Sequence, residues 1–384
     1  MAVAVTRVLV CGLTGGTVLL ASACGGGVVG LSKPKPAQVN VTPANGGTSA
    51  KPDSPIQVSA TGGKLSQVSV QAASSVAAVT GSMDAGHTHW TSAGNLTPDT
   101  KYTVTASAKN SDGKVTTVTS AFSTLNPTRT LRISDVTPDQ KGESVGVGMP
   151  IIVTFNRSVT NKAAVEKALT VTAEKPAEGA WRWIDGTQVI YRTKDYWQPH
   201  QKVTFTAHLT GLAAGPGTYG MTDVTKTIQI GAAQISSVNL NAGTMTVTRD
   251  GAKIRSFQVS GGNASTREYT TTNGVHLTME KDNPVTMTSP GRKPGDPGYY
   301  KVQENWAVRI SNSGEYVHES DPTSPSHGCI HAATEDARWF FDFAQRGDVV
   351  KVTGTDRPLE WDNGWGFWQM SFQQWKQGSA LNGN

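Results

Sequence analysis

The sequence predicts a mainly β chain in which β-sandwiches precede a β-rich domain with one main helix. Three observations carry this. Between residues 37 and 230, short Val/Thr/Ser-rich stretches alternate polar with apolar residues and are broken by turn residues. Near residue 250 an Asp-Gly pair between two such stretches gives a hairpin signal. One segment alone, Thr334 to about Ala344, has apolar residues at helical spacing. At 384 residues the chain exceeds one ordinary core and divides into several domains.

Residues 1–23 read as an export leader, because Arg7 is the sole charged side chain before Lys33 and Val8 to Ala23 run apolar and small. That run is too short to span a bilayer as a finished helix. It ends Leu20-Ala21-Ser22-Ala23-Cys24 before a glycine run, which resembles the lipobox of bacterial lipoproteins, with Ala21 where leucine is usual. Two acyl chains on Cys24 would hold the protein at a membrane surface; the alternative is a secretory signal cleaved near the same place. Residues 24–36, rich in Gly, Lys and Pro, form a tether. The formal charge of +5 becomes +4 once Arg7 is lost with the leader, a mild excess suited to a polyanionic cell envelope. It is dispersed along the chain, which argues against nucleic acid as a partner.

Residues 37–126 carry the strand candidates Ile56–Ala60, Gln67–Val70 and Tyr102–Ala106, and Asn126-Pro127 marks a boundary. Residues 127–231 carry Ile151–Phe155, Gln188–Tyr191 and Val203–Ala207. The phrases Leu96–Val104 and Tyr196–Thr204 each place a Pro-containing turn before a strand, a loose echo of one design. Without cysteines, both units read as disulfide-free immunoglobulin-like sandwiches serving as spacers. Residues 232–355 begin with the hairpin Met245–Thr248, Arg249-Asp250-Gly251-Ala252, Ile254–Val259. Trp306–Ile310 and Val349–Val352 add strands. Ala337, Phe340, Phe341 and Ala344 give the helix its stripe, with Thr334 as cap and Gly347 at the stop. Residues 356–384 form a Trp-rich extension.

Three cysteines are present, and Cys11 and Cys24 lie in or beside the leader, so Cys329 is the thiol left without a partner. Exported thiols are ordinarily paired, so an unpaired one points to nucleophilic chemistry. It occupies Ser326-His327-Gly328-Cys329-Ile330-His331, eleven residues after His318. In an extended segment, His327, Cys329 and His331 share a face. Zinc is disfavoured: His327 and His331 stand at H-x-x-x-H spacing, but no C-x-x-C accompanies them and a structural site ordinarily takes four ligands. Gly328 allows close backbone approach and a tight turn aimed at a developing oxyanion.

At these residues the chain resembles a known family. Tyr316-Val317-His318 followed by Ser326-His327-Gly328-Cys329 is similar to the active-site signature of YkuD-type L,D-transpeptidases. The likeness spans roughly Gln234 to Thr355 and extends to the two sandwiches and the tail from Trp365 to Trp375, the layout of actinobacterial members. It implies Cys329 as nucleophile, His318 as its base, and the backbone N–H groups of Gly328 and Cys329 as oxyanion donors. It further implies a pocket role for His327, support of the motif by Ser326, substrate contacts from Tyr300 and Ser313, and Met287 in the donor pocket. Core packing is the alternative for Met287 and Trp306. The tail would pack against the catalytic domain.

Two departures stand out. His331 replaces the family's usual Asn or Arg, and is a rival to His318 as base. The segment Glu319–Pro325 has seven residues where the resemblance implies a longer lid. The implied reaction joins peptidoglycan stems: Cys329 attacks a tetrapeptide donor, D-alanine leaves, and a neighbouring stem amine takes the acyl group as a 3→3 cross-link. No cofactor is required. Carbapenem-type β-lactams would acylate Cys329. Water or a protein amine as acceptor, or an inert wall-binding lipoprotein, are the alternatives. The location implied is extracytoplasmic, membrane-anchored and facing the wall.

Overall fold

The computed structural model describes residues 35–289 and 291–382; the leader, Cys11, Cys24 and nearly all of the tether lie outside the described residues. Among the described residues no helix is long and apolar enough to cross a membrane. In the first unit, Gln38–Thr42, Gln57–Thr61, Gly81–Met83 and His89–Ser92 form one sheet. Lys64–Ala72, Lys101–Lys109 and Val115–Ser123 form the facing one. Alternation sends Val58, Ala60, Val70, Val104 and Ala106 inward. Tyr102 stacks on Phe122 at 5.5 Å, and its Oη accepts from the Thr97 N–H at 2.7 Å, pinning the corner before its strand.

The second unit pairs two four-stranded sheets. One contains Ile133–Thr137, Ile151–Phe155, Gly179–Trp183 and Gln188–Thr193; the other contains Ser144–Val145, Leu169–Ala173, Gln201–Ala207 and Val224–Ile230. The echo between the units is structural: the residue after each proline turns left-handed, Asp99 at φ +51° and His200 at φ +55°. The core of this unit, around Trp181, Trp183 and Phe205, also takes in Leu277 and Val349 from the third unit. The second and third units therefore share apolar packing, while the first has a core of its own.

In the third unit a nine-stranded sheet runs from the edge strand Gly274–Leu277 to the opposite edge Lys281–Asp282. Its hairpin forms where the Asp-Gly pair lies: Thr244–Arg249 pairs with Ala252–Ser260, and Asp250 and Gly251 take φ +50° and +84°, as a tight two-residue turn demands. The helix Thr334–Phe343 lays Ala337 and Phe340 on the same core as Val317 and Ile330. Its start differs from expectation. Ala333 is the cap residue, and the Thr334 hydroxyl donates instead to Glu319 Oε1 at 2.6 Å, a tertiary partner outcompeting the local one. Ala344 rather than Gly347 ends the helix. Trp306 packs edge-on against Phe341 of this helix at 5.5 Å.

The Trp-rich extension does more than pack on the catalytic domain. Trp368 Nε1 donates to the Gly148 carbonyl at 3.0 Å, and Gln369 Nε2 to that of Val275 at 2.8 Å, so the extension straddles the second and third units. Trp375 is fully buried, donating from Nε1 to the Ala180 carbonyl at 2.9 Å. The Arg192 guanidinium lies 4.9 Å from the Trp368 ring and 5.0 Å from the Trp375 ring, and burial lowers its pKa to about 10. Aromatic faces and the Met370 carbonyl, 2.6 Å from Nη2, compensate that desolvation. Trp375→Ala is expected to cost about 3–5 kcal/mol in urea unfolding of the second and third units. The transition of the first sandwich should stay in place.

Candidate active site

Two short parallel strands place the key side chains. Tyr316–Glu319 pairs with Ile330–Ala332 in the register Val317↔Ile330 and His318↔His331. The apolar residues Val317, Ile330 and Ala332 are pulled into the core, which fixes the strands and sets the two imidazoles side by side, centroids 5.0 Å apart. The loop between is short, and Asp321 stitches it. Its carboxylate accepts from the Thr323 N–H at 2.9 Å and from the Thr323 and Ser324 hydroxyls, both at 2.7 Å.

The turn that carries Cys329 follows. Ser326 Oγ accepts from the Gly328 N–H at 2.9 Å and donates to the Cys329 carbonyl at 2.6 Å. Gly328 has φ +128°, a conformation that L side chains rarely adopt. Thr271 Oγ1 clamps the turn, donating to the Gly328 carbonyl at 2.9 Å and accepting from the Gly262 N–H at 2.8 Å. The Gly328 N–H, expected as an oxyanion donor, is engaged by Ser326 inside the turn in this structure. The left-handed glycine also breaks the expected alignment of His327, Cys329 and His331. His327 instead wedges between Tyr269 and Tyr300, at 4.5 and 4.7 Å, while His331 turns to His318.

Cys329 is 9% exposed and opens on a cleft of about 490 Å³. Tyr300, Ser313, His327, Gly328 and Met287 line this cleft with it; Ser326, His318 and His331 do not. Met287 Sδ is 3.9 Å from Sγ, and the Gly314 carbonyl is 3.6 Å away. Met287 belongs to a hairpin flap, Val285–Thr288 paired with Lys301–Glu304. Arg292 latches the flap, donating to Tyr269 Oη at 2.7 Å and to Glu268 at 3.0 Å.

Sequence reasoning did not single out Tyr269, the Arg292 latch or the buried acid Glu315. Glu315 accepts from the Thr272 N–H and hydroxyl, both at 2.7 Å, with His276 Nε2 3.7 Å away. Burial pulls its carboxyl up, but His276 and Thr272 hold it down at about 2. No local periodicity marks these residues. They meet only through the tertiary fold.

Burial pushes the Cys329 thiol up to about 12, aided by Glu315 and Glu304 and opposed by the Tyr316 N–H. Burial, then the nearby His331, lowers His318 to about 4. His318 Nδ1 donates to the Glu319 carbonyl at 2.9 Å, leaving Nε2 as the basic nitrogen. Burial thus favours the neutral form of both the Cys329 thiol and the His318 imidazole.

A buried thiol on a turn, a neutral imidazole on the neighbouring strand and a cleft of about 490 Å³ are the parts of a cysteine acyltransferase site. Residues 233–352 match the family described as "L,D-transpeptidase catalytic domain", and residues 47–213 match "Bacterial Ig domain". The chain is 34% identical over 376 residues to L,D-transpeptidase 5 of Mycobacterium tuberculosis, covering 94% of this chain and 81% of that one. With L,D-transpeptidase 2 of the same species it shares 30% over 338 residues, covering 85% and 81%. A solved L,D-transpeptidase in complex with imipenem is 29% identical, with a TM-score of 0.49 over 58% of this chain and 98% of that one. The chain belongs to the L,D-transpeptidase family.

A neutral resting thiol has a kinetic signature. Alkylation of Cys329 by iodoacetamide is expected to accelerate with pH throughout the alkaline range, because the thiolate fraction is still growing there. A plateau reached below pH 7 would show a preformed ion pair and contradict this.

Proposed function

We propose that the protein is a peptidoglycan L,D-transpeptidase that forms 3→3 cross-links through a thioester on Cys329. The observation that carries the reading is the buried thiol opening onto a peptide-sized cleft, with a neutral imidazole on the neighbouring strand. His318 Nε2 takes the proton from Sγ as sulfur bonds to the carbonyl carbon of the donor's L-centre residue. The C–N bond to D-alanine then breaks, and the imidazolium returns its proton to the departing nitrogen. In the second half an acceptor amine bonds to the same carbon, the C–S bond breaks, and the amine's proton passes by way of His318 to the thiolate. With the Gly328 N–H engaged by Ser326, the oxyanion falls to the Cys329 N–H. His331 Nδ1 donates to the Ser324 carbonyl at 3.1 Å, which suits a ring that braces the short loop and His318.

Peptidoglycan stems are donor and acceptor, and carbapenem-type β-lactams, as strained amides, would acylate the same sulfur. An extracytoplasmic location, with a lipid on Cys24, would let the two sandwiches lift the site into the wall. Labelling with a lipid precursor that persists in Cys24→Ala would refute that anchor.

Incubating the protein with disaccharide-tetrapeptide and weighing the products by mass spectrometry tests the reaction. The cross-linked dimer should form with the intact thiol and vanish in Cys329→Ala. Tripeptide alone would make water the acceptor, and absence of any acyl-enzyme would sink the reading. His318→Ala should reduce acylation by about 100-fold or more, the scale of a lost general base, and His331→Ala by less. The reverse ranking would transfer the base to His331.

A further inference from the structure

The extension lines the cleft at Arg357 and braces its far wall through Asn363. Asn363 Oδ1 accepts from the N–H groups of Asn312 and Ser313, at 2.9 and 3.0 Å. Its Nδ2 donates to Ser313 Oγ at 2.9 Å. Three contacts from one carboxamide thus hold the loop whose next residue, Gly314, presents its carbonyl 3.6 Å from the Cys329 sulfur. Asn312, Ser313 and Gly314 all line the cleft, and Asn363 does not.

The approach is close. A Cβ on Gly364 would lie 3.1 Å from the Asn312 nitrogen and from Ser311 Cα, and the residue holds φ +67°. The loop is also tied from below, since Ser311 Oγ and Ser313 Oγ lie 2.9 Å apart and Ser313 Oγ is 3.3 Å from Glu315 Oε2. Glu315 in turn fixes Thr272, next in chain to the Thr271 that clamps Gly328. On the far side, Asn363 is flanked by Trp361 and Trp365. The Arg182 guanidinium of the second sandwich lies 5.1 Å from the Trp361 ring, and Trp365 packs against that sandwich's core.

We propose that Asn363 is a positioning residue for acyl transfer: it holds the Asn312–Gly314 wall of the cleft in register with Cys329 and links that wall to the second sandwich. It touches neither the thiol nor the imidazole. This rests on the acyl-transfer reading for its kinetic consequence and on the geometry alone for its structural one.

The test uses the full chain with Asn363→Ala and Asn363→Asp. Misplacing a substrate wall by about 1 Å costs on the order of 100-fold, so Asn363→Ala should slow acylation by the tetrapeptide donor about 10- to 100-fold. Alkylation by iodoacetamide, which needs only the sulfur, should change by less than about twofold on the same argument. Asn363→Asp keeps the acceptor for both backbone N–H groups and should recover most of the rate. Equal losses in alkylation and acylation, or full donor activity in Asn363→Ala, would overturn the proposal. If the unmodified protein forms no acyl-enzyme, the transpeptidase reading fails, and amide exchange at Asn312 and Ser313 decides the positioning claim. Exchange there should accelerate about tenfold or more in Asn363→Ala as the loop opens locally, and unchanged exchange would refute it.

Discussion

One hydroxyl organises this site. Ser326 Oγ takes the Gly328 N–H and gives its proton to the Cys329 carbonyl, closing the turn from both ends. The turn needs a left-handed residue at its centre, and Gly328 supplies it. Space alone would not demand glycine, because a Cβ there meets nothing nearer than 3.8 Å; the backbone does. At Gly262, by contrast, close approach decides, since a Cβ would clash with the Tyr269 carbonyl and come within 2.9 Å of Gly328 Cα. Backbone conformation on one strand and crowding on the neighbouring segment thus aim the thiol before any substrate arrives.

The fold was legible where local chemistry decides it. The Asp-Gly hairpin, the strand Ile151–Phe155 and the helix stripe follow from turn propensity and periodicity, and each forms. The motif around Cys329 was legible as a set of residue types. Which bonds those types make was not. Ser326 accepts the Gly328 N–H, and this pairing depends on a φ value that sequence does not state. Thr334 has good capping chemistry, yet Glu319 on a neighbouring strand claims its hydroxyl. The walls of the cleft were least visible. Tyr269 comes from a short 3-10 turn, Arg292 from the flap and Asn363 from the extension, and only tertiary packing brings them together.

The placement of Glu315 shows what this architecture trades. A buried carboxylate held ionised beside a cysteine opposes formation of the thiolate. Removing the charge would ease deprotonation, but would leave the Thr272 N–H and hydroxyl without their acceptor. An unsatisfied buried polar group costs about 1–3 kcal/mol. Here the loss would fall next to the Thr271 clamp on the Cys329 turn. Geometry is thus secured at the expense of resting acidity. A neutral thiol has a second consequence. A buried neutral thiol is a poor target for adventitious oxidants, since reactivity follows thiolate character and exposure. In a chain whose described residues offer Cys329 no disulfide partner, the burial that keeps the thiol protonated also shields it.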